Sequence, residues 1–397
     1  MTTTLIHPSW VYMDNNATTR TDARVVEAML PFMREEFANP SSMHAMGASC
    51  AEAVRIARSH VSALIGANRD SEIVFNSGGS ESNNTAILSA LQTQTGRSEI
   101  ITSTVEHPSI LALCAHLEKT GKARVHRIPV DHRGALNLDA YRRALNPNTA
   151  LVSMQWANNE TGVIFPVDLL ASMAHSAGAF FHCDAVQAAG RIAIDVAASK
   201  IDMLSFSAHK MHGPKGIGAL YVRHGVKLMP LIHGGRQERG RRAGTENAPA
   251  IIGIGVAARI ASQTMSWDMP RVSALRDYLE REILRLIPSA MQIGDRDYRL
   301  PNTLNVAFEN LEADSILIML DRESIAASSG SACASGSMNP SHVLSAMKVP
   351  FSHLRGSIRF SLSRETTDAD VDRVLAVMPG IVNSLQISSE SMEAAYA

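Results

Sequence analysis

From about residue 20 to 265, short apolar runs alternate with stretches whose apolar side chains recur at helical spacing. SEIVFN at 71–76 reads as a strand that meets the glycine turn SGGSES and then a helix around TAILSALQ. EIITSTV at 99–105 reads as a second strand, followed by a helical SILALCAHLEKTG. RVHRIPV, TALVSMQWA, AFFHCDA, IDMLSFS and GALYVR are further strand candidates. Alternation of this kind predicts an α/β layer built on a mainly parallel sheet. Helices on both faces account for strands that are apolar on both sides.

After about residue 265 the pattern changes. ALRDYLEREILRLIP sets Leu275, Tyr278, Leu279, Ile283 and Leu286 on one helical face, with Pro288 as its stop. NTLNVAF alternates like a half-buried strand, DSILIMLD reads as a helix, and VDRVLAVM is expected to end before Pro379. Thr367 and Asp370 have the spacing of a capping pair. The expected organisation is a large α/β domain over 20–265, with a small α+β domain formed by 266–397 together with 1–19. The tail SSESMEAAYA is polar and expected to fray. In GIGVAA, the residues Gly253, Gly255 and Ala258 fit a GxGxxA spacing. A dinucleotide fingerprint should end a strand and open a helix, whereas this one follows TENAPAII, a helix already under way. Close helix packing is therefore the reading.

The chain has 397 residues with a formal net charge of −1, and it is 45% apolar and 19% charged. That composition excludes a disordered chain. It also supplies no basic excess to drive binding to nucleic acid or a membrane surface. No apolar run reaches the roughly 20 residues of a membrane span, and the N-terminus has no basic stretch followed by an apolar run. Cys50, Cys114, Cys183 and Cys333 are widely separated, with no CxxC pair. A reducing compartment, the cytoplasm, is expected.

Candidate chemistry gathers where strands end. SFSAHKMHGPKG at 205–216 runs an apolar strand into a polar turn that carries Lys210 between two histidines. Lys210 reads either as a solvated loop lysine or as an amine able to form a Schiff base with a carbonyl cofactor. Asp184 closes the strand in AFFHCDA, as a helix cap or as the acid that keeps a pyridine nitrogen protonated. SGGSES at 77–82 is a plain turn with Ser80 as cap, or a phosphate cradle in which Gly79 lets backbone amides approach an anion. Ser207 and His209 could donate to the same phosphate. His107, in TVEHPS, is an ordinary loop histidine or a ring able to stack on a flat cofactor and exchange protons. Around Cys333 only Ala, Ser and Gly stand, in AASSGSACASGS. The segment from about 326 to 339 reads as a mobile loop, with its thiol either incidental or a nucleophile on a swinging arm.

Taken together, these segments resemble the class I cysteine desulfurases, pyridoxal phosphate enzymes of fold type I in the aminotransferase class V group. The likeness runs from DNNATT near residue 14 to RFSLSR near 360. Between them lie NPSSMH (39–44), SGGSESNN, EHPS, WANNETG (156–162), HCDAVQ, SAHKMHGPKG, ERGRRAGTEN (238–247) and SSGSACASGS. WANNETG, ERGRRAGTENA and the short cysteine loop look most like the nitrogen-fixation type, NifS, with the housekeeping desulfurase or a selenocysteine lyase as the alternative.

The resemblance implies a large domain with a mainly parallel seven-stranded sheet and a small α+β C-terminal domain. It implies that Lys210 holds pyridoxal 5'-phosphate, that Asp184 pairs with the ring nitrogen and that Gln187 bonds the phenolic oxygen. Gly79, Ser80, Ser207 and His209 would hold the phosphate, and Thr245 would reach the phosphate of the other subunit of a homodimer. His107 would stack on the ring and act in catalysis. Asn159 would contact cofactor and substrate, and Arg359 would fix the carboxylate of L-cysteine. Cys333 would take the sulfur as a persulfide, pass it to an iron–sulfur scaffold protein, and serve as a transient iron–sulfur ligand. Ser80 stands where relatives often carry Thr, which keeps the hydroxyl.

Overall fold

The computed structural model describes residues 10–329 and 340–396, with side chains described as far as residue 387. Its strands in chain order are β1 (Val11–Tyr12), β2 (Ile73–Asn76), β3 (Glu99–Ser103), β4 (Arg124–Ile128), β5 (Thr149–Gln155), β6 (Phe180–Asp184), β7 (Met203–Ser207), β8 (Gly218–Val222), β9 (Ala290–Ile293), β10 (Thr303–Phe308), β11 (Ile325–Ala326) and β12 (Ser357–Ser361). Seven of them form one sheet in the order β2-β8-β7-β6-β5-β3-β4. β4, β3, β5, β6 and β7 run parallel to one another, and β8 runs antiparallel to both β7 and β2. This is the mainly parallel sheet that the alternation predicts, with the seven strands that the resemblance implies. β3, β5, β7 and β8 are buried at every position, as expected where helices cover both faces.

The second assembly is an antiparallel sheet, β12-β10-β9. The helices Ala313–Arg322 and Asp368–Tyr396 cover it with the second half of Ala248–Leu286. β10 differs from its expected half-buried alternation, because all six of its residues are buried. Leu304, Val306 and Phe308 enter the apolar core. The other face meets polar backbone and side chains: Asn305 donates to the Glu160 carbonyl at 3.3 Å, and Thr303 Oγ1 accepts from the Asn16 side-chain amide at 2.9 Å. That face is closed by the rest of the protein rather than by water.

Of the two expected proline boundaries, the one at Pro288 holds, since the helix ends at Leu286 just before it, and the one at Pro379 is crossed. Ala248–Leu286 is one helix with Pro270 inside it. Its first half, including Ile251 and Ile254, packs on the core of the seven-stranded sheet, and Leu275, Leu279 and Ile283 pack on the other core. The stretch between is exposed, with Trp267 at 80%, so the carbonyl that Pro270 leaves unbonded can face water. The pattern change at 265 is the passage of one helix between two cores. Asp368–Tyr396 likewise runs through Pro379 and through the tail expected to fray. Val371, Val374, Met378, Ile381 and Val382 bury on either side of the proline, and this packing outweighs one lost hydrogen bond. Its start is the expected box: Thr367 N donates to Asp370 Oδ2 at 2.8 Å, and Asp370 N donates to Thr367 Oγ1 at 3.2 Å. At Gly255 a Cβ would lie 2.5 Å from Ala57 Cβ, so the GxGxxA spacing serves packing against the helix Ala45–Leu64.

The segment 10–19 joins the two assemblies. β1 pairs in parallel with β11, Asn15 donates to the Ser361 carbonyl at 2.9 Å, and Thr19 N donates to the His209 carbonyl at 2.9 Å.

Candidate active site

Local geometry brings three strand ends together. Asp184 closes β6 opposite Ser205 of β7. Lys210 lies in the single 3-10 turn Ala208–Lys210 that follows β7. Gly218 opens β8 opposite both Ser207 and Asn76. A Cβ on Gly218 would stand 2.6 Å from Gly78 Cα and 2.6 Å from the Phe206 carbonyl oxygen. Only glycine lets the SGGSES turn close over this end of the sheet.

The helix Gly79–Thr93 opens without a side-chain cap, its N-cap Gly78 having φ +149°. Its first-turn N–H groups carry the partial positive charge of a helix start. A Cβ on Gly79 would lie 2.6 Å from Val186 Cγ2, and one on Gly78 would lie 3.6 Å from Ser207 Oγ. Gly79, Ser80 and Ser207 therefore border one turn. Ser80 is exposed and Ser207 is buried. His209 Nδ1 lies 3.1 Å from Thr18 Oγ1. Burial, then the charge of Lys210, lowers His209 to about 4, so it is a neutral hydrogen-bonding ring at pH 7.

Lys210 Nζ donates to the carbonyls of Asn16 at 2.5 Å and Ala17 at 2.7 Å. Gln187 Nε2 donates to the same Asn16 carbonyl at 3.1 Å, and Gln187 Oε1 accepts from Arg191. Arg191 is fully enclosed, and burial with the nearby Arg359 brings it down to about 9. Arg359, also buried, donates from Nη1 to the Asn159 carbonyl at 3.0 Å and pairs through Nη2 with Asp14 Oδ1 at 2.7 Å. The expected carboxylate-binding pair, Asn159 and Arg359, is thus in direct contact. Asp184 Oδ2 accepts from Asn83 Nδ2 at 2.7 Å, and Asp184 Oδ1 accepts from Val186 N at 3.0 Å. His107 caps the helix Pro108–Lys119, and burial lowers its proton affinity.

Thr245 stands apart from this cluster and is exposed. Its neighbours Gly244 and Glu246 line a hollow of about 110 Å³ with Asn76 and Ser77, at the entry to the glycine turn. Cys333, expected as nucleophile and as iron–sulfur ligand, lies outside the described residues. Both approaches to its segment are tied to the cluster. Ser328 and Arg359 exchange backbone hydrogen bonds at 3.3 and 2.6 Å, so pairing continues into the first residues of the expected loop. On the far side, Ser341 Oγ bonds Glu160 Oε2 at 2.6 Å, and His342 Nε2 lies 3.0 Å from the Glu106 carbonyl. Cys50, Cys114 and Cys183 are all buried. Among the described residues no group of three or more His, Cys, Asp or Glu could hold a metal ion.

Residue-by-residue reading missed Asn16, Asn83, Glu106, Glu160 and Arg191. Asn83 and Glu160 sit inside SGGSESNN and WANNETG, so the available signal was a polar side chain beside a motif glycine. Glu106 is fully buried, with Oε1 2.5 Å from Ser103 Oγ, and burial pushes it up to about 8.

The donor set fits pyridoxal phosphate. An uncapped helix start with a glycine cradle suits a phosphate, Asp184 suits a protonated pyridine nitrogen, and Lys210 supplies an amine. Asn83 Oδ1, bonded through its amide nitrogen to Asp184, is buried with no hydrogen-bond partner among the described residues.

Comparison with known proteins agrees. Residues 11–374 match the family described as Aminotransferase class-V. A protein of Gluconacetobacter diazotrophicus named cysteine desulfurase is 62% identical over 387 residues, covering 98% of this chain and 97% of its own length. The cysteine desulfurase NifS of Azotobacter vinelandii is 53% identical over 376 residues, covering 95% of this chain and 93% of its own. A solved structure titled NifS-like protein superposes with a TM-score of 0.89 at 37% identity, covering 95% of this chain and 100% of that one.

Proposed function

The chain belongs to the aminotransferase class-V family and is a pyridoxal phosphate-dependent cysteine desulfurase, and from that premise we propose its residue roles, its sulfur route and its physiological purpose. Lys210, Asp184, Gln187, Gly79, Ser80, Ser207 and His209 hold the cofactor, with Thr245 reaching across a homodimer. The exposure of Thr245 beside the hollow at Ser77 supports that last role. When bound, pyridoxal phosphate supplies an aldehyde that condenses with amines and a ring that accepts electron density from the substrate. Residues 20–265 form the cofactor-binding unit, and 1–19 with 266–397 form the smaller one. The separation of apolar contacts into distinct cores supports this division.

Arg359 and Asn159 orient the carboxylate of L-cysteine. For that, Arg359 exchanges its bond to Asp14 for one to substrate, a like-for-like replacement of one carboxylate by another. Asp184 holds a proton at the ring nitrogen. His107, neutral at pH 7, is placed to stack on the ring and to accept or return a proton. The Cys333 thiolate attacks the substrate sulfur. An S–S bond forms as the C–S bond breaks, the electron pair stays with carbon, and protonation of that carbon gives alanine. The burial of Cys50, Cys114 and Cys183 supports Cys333 as the nucleophile. Burial also raises the thiol proton affinities of all three, Cys114 to about 12.

The sulfur then passes to an iron–sulfur scaffold protein in the cytoplasm, with Cys333 as a transient ligand during transfer, and the clusters serve nitrogenase. The likeness to NifS at 53% identity supports the nitrogen-fixation role. Among the described residues no helix is long and apolar enough to cross a membrane.

One observation carries the reading: Asp184, Lys210 and the uncapped glycine turn converge at one edge of the sheet, with a second carboxylate site at Arg359 beside them. Borohydride reduction of the holoenzyme followed by peptide mapping tests it. The cofactor label is expected on the peptide containing Lys210, and a label on any other lysine overturns the assignment.

A further inference from the structure

Asn83, one turn into the helix Gly79–Thr93, and Ser109, in the first turn of Pro108–Lys119, lie on two different helices. They join Asp184 to His107. The amide nitrogen of Asn83 donates one hydrogen to Asp184 Oδ2 at 2.7 Å and the other to Ser109 Oγ at 3.0 Å. A carboxylate accepts and does not donate, so the amide nitrogen must face Asp184. Ser109 Oγ, having accepted from Asn83, has its own hydrogen to give, and His107 Nδ1 lies 2.8 Å away. The backbone N–H of Ser109 also points at His107 Nδ1, at 3.1 Å. A ring nitrogen that receives an N–H carries a lone pair there, not a proton. In neutral His107 the proton is therefore on Nε2.

Asn83 is buried, and its own oxygen has no partner among the described residues. It gives up satisfaction of one atom to keep both hydrogens engaged. We propose that Asn83 and Ser109 are positioning residues that fix the tautomer of His107, with Nε2–H turned to the reaction and Nδ1 held as an acceptor, in register with Asp184. The inference rests on the reading of His107 and Asp184 as cofactor contacts, but the relay itself consists only of groups in this chain. The charged and titratable groups facing His107 are Asp184 at the end of β6, Lys210 after β7, and His342 on the helix His342–Ala346. Burial, Lys210 and His342 oppose protonation, Asp184 favours it, and the relay acts on the side of the neutral ring by occupying Nδ1.

The test is nitrogen NMR of the holoenzyme labelled with ¹⁵N-histidine, with the His107 signals identified as those missing from His107→Gln. In the unsubstituted enzyme at pH 8, Nε2 should be protonated and Nδ1 bare. Ser109→Ala removes the hydroxyl donor and leaves the backbone donor, so His107 should keep its tautomer and bind a proton about threefold to tenfold more tightly, as loss of one hydrogen bond to the neutral form requires. Asn83→Ala should shift the titration in the same direction. Protonated Nδ1 in the unsubstituted enzyme overturns the proposal. So does an unchanged titration in both variants. If borohydride fails to label Lys210 while these shifts are observed, the cofactor reading falls and the relay stands.

Discussion

Glu160 offers the sharpest perturbation next to the segment proposed to carry the sulfur. Its carboxyl is 3% exposed and receives the Ser341 hydroxyl at 2.6 Å. The same Ser341 oxygen caps the helix His342–Ala346 by accepting from Val343 N and Leu344 N. Burial raises the proton affinity of Glu160, with Ser341, His342 and Arg359 acting the other way. Burial thus lets Glu160 keep its proton to a higher pH than a free glutamate, and in that form the carboxyl offers Ser341 a carbonyl-like oxygen. Replacing it with alanine strands a buried hydroxyl, at about 1–3 kcal/mol. Loss of a buried methylene adds about 1 kcal/mol. Glutamine keeps an oxygen acceptor of the same reach, so Glu160→Gln should cost less than about 1 kcal/mol.

Thermal unfolding should therefore rank Glu160→Ala well below Glu160→Gln. Alanine release from L-cysteine should fall several-fold in Glu160→Ala only, with cofactor colour retained in both. The pH dependence provides a second reading. An acid whose folded-state affinity is raised keeps a proton that the unfolded chain releases. As pH rises above about 4.5 the native enzyme should then lose stability relative to Glu160→Gln, at up to about 1.4 kcal/mol per pH unit. Equal damage from alanine and glutamine, with no such drift, would mean a charged Glu160 and would refute the burial argument.

Two further substitutions test the framework. Glu238 holds Arg58 through bonds of 2.6 and 2.8 Å, both side chains being largely buried. Glu238→Ala leaves that guanidinium unpaired and should destabilise by about 3–5 kcal/mol in denaturant unfolding; a loss under about 1 kcal/mol would contradict the pairing. His182, enclosed between Ser153 at 2.9 Å and Ser205 at 2.8 Å, is brought down to about 3 by burial. Its stabilising contribution is complete above about 6.5 and declines as pH falls toward about 3, at up to about 1.4 kcal/mol per unit. The acid limb of the stability curve should be shallower by that amount in His182→Gln, and equal slopes would show that His182 protonates in the folded state.

Much of this was legible because the chemistry sits where strands stop. Apolar runs located β6 and β7, and Asp184 and Lys210 followed directly from their ends. The glycine turn was visible because Gly79 and Gly218 are demanded by close approach, a backbone constraint that sequence records as residue type. Through-space partners left no such trace. Asn83 meets Asp184 across 101 positions, and Asn16 meets Thr303 across 287; no local pattern encodes either. The buried face of β10 misled for the same reason, since polar Thr303 and Asn305 alternate as if for water but bond to backbone and side chains brought from far along the chain. Pro379 read as a stop because local rules see the lost hydrogen bond and not the core packed on either side of it.

In the proposed reaction, sulfur leaves L-cysteine onto Cys333. The direct measurement is mass spectrometry of peptides from the holoenzyme, alkylated during turnover with L-cysteine in the absence of reductant. One extra sulfur atom is expected on the peptide containing Cys333, and none on those containing Cys50, Cys114 or Cys183. Alanine formed at the normal rate with Cys333 unmodified, or with the extra sulfur on another cysteine, would contradict it.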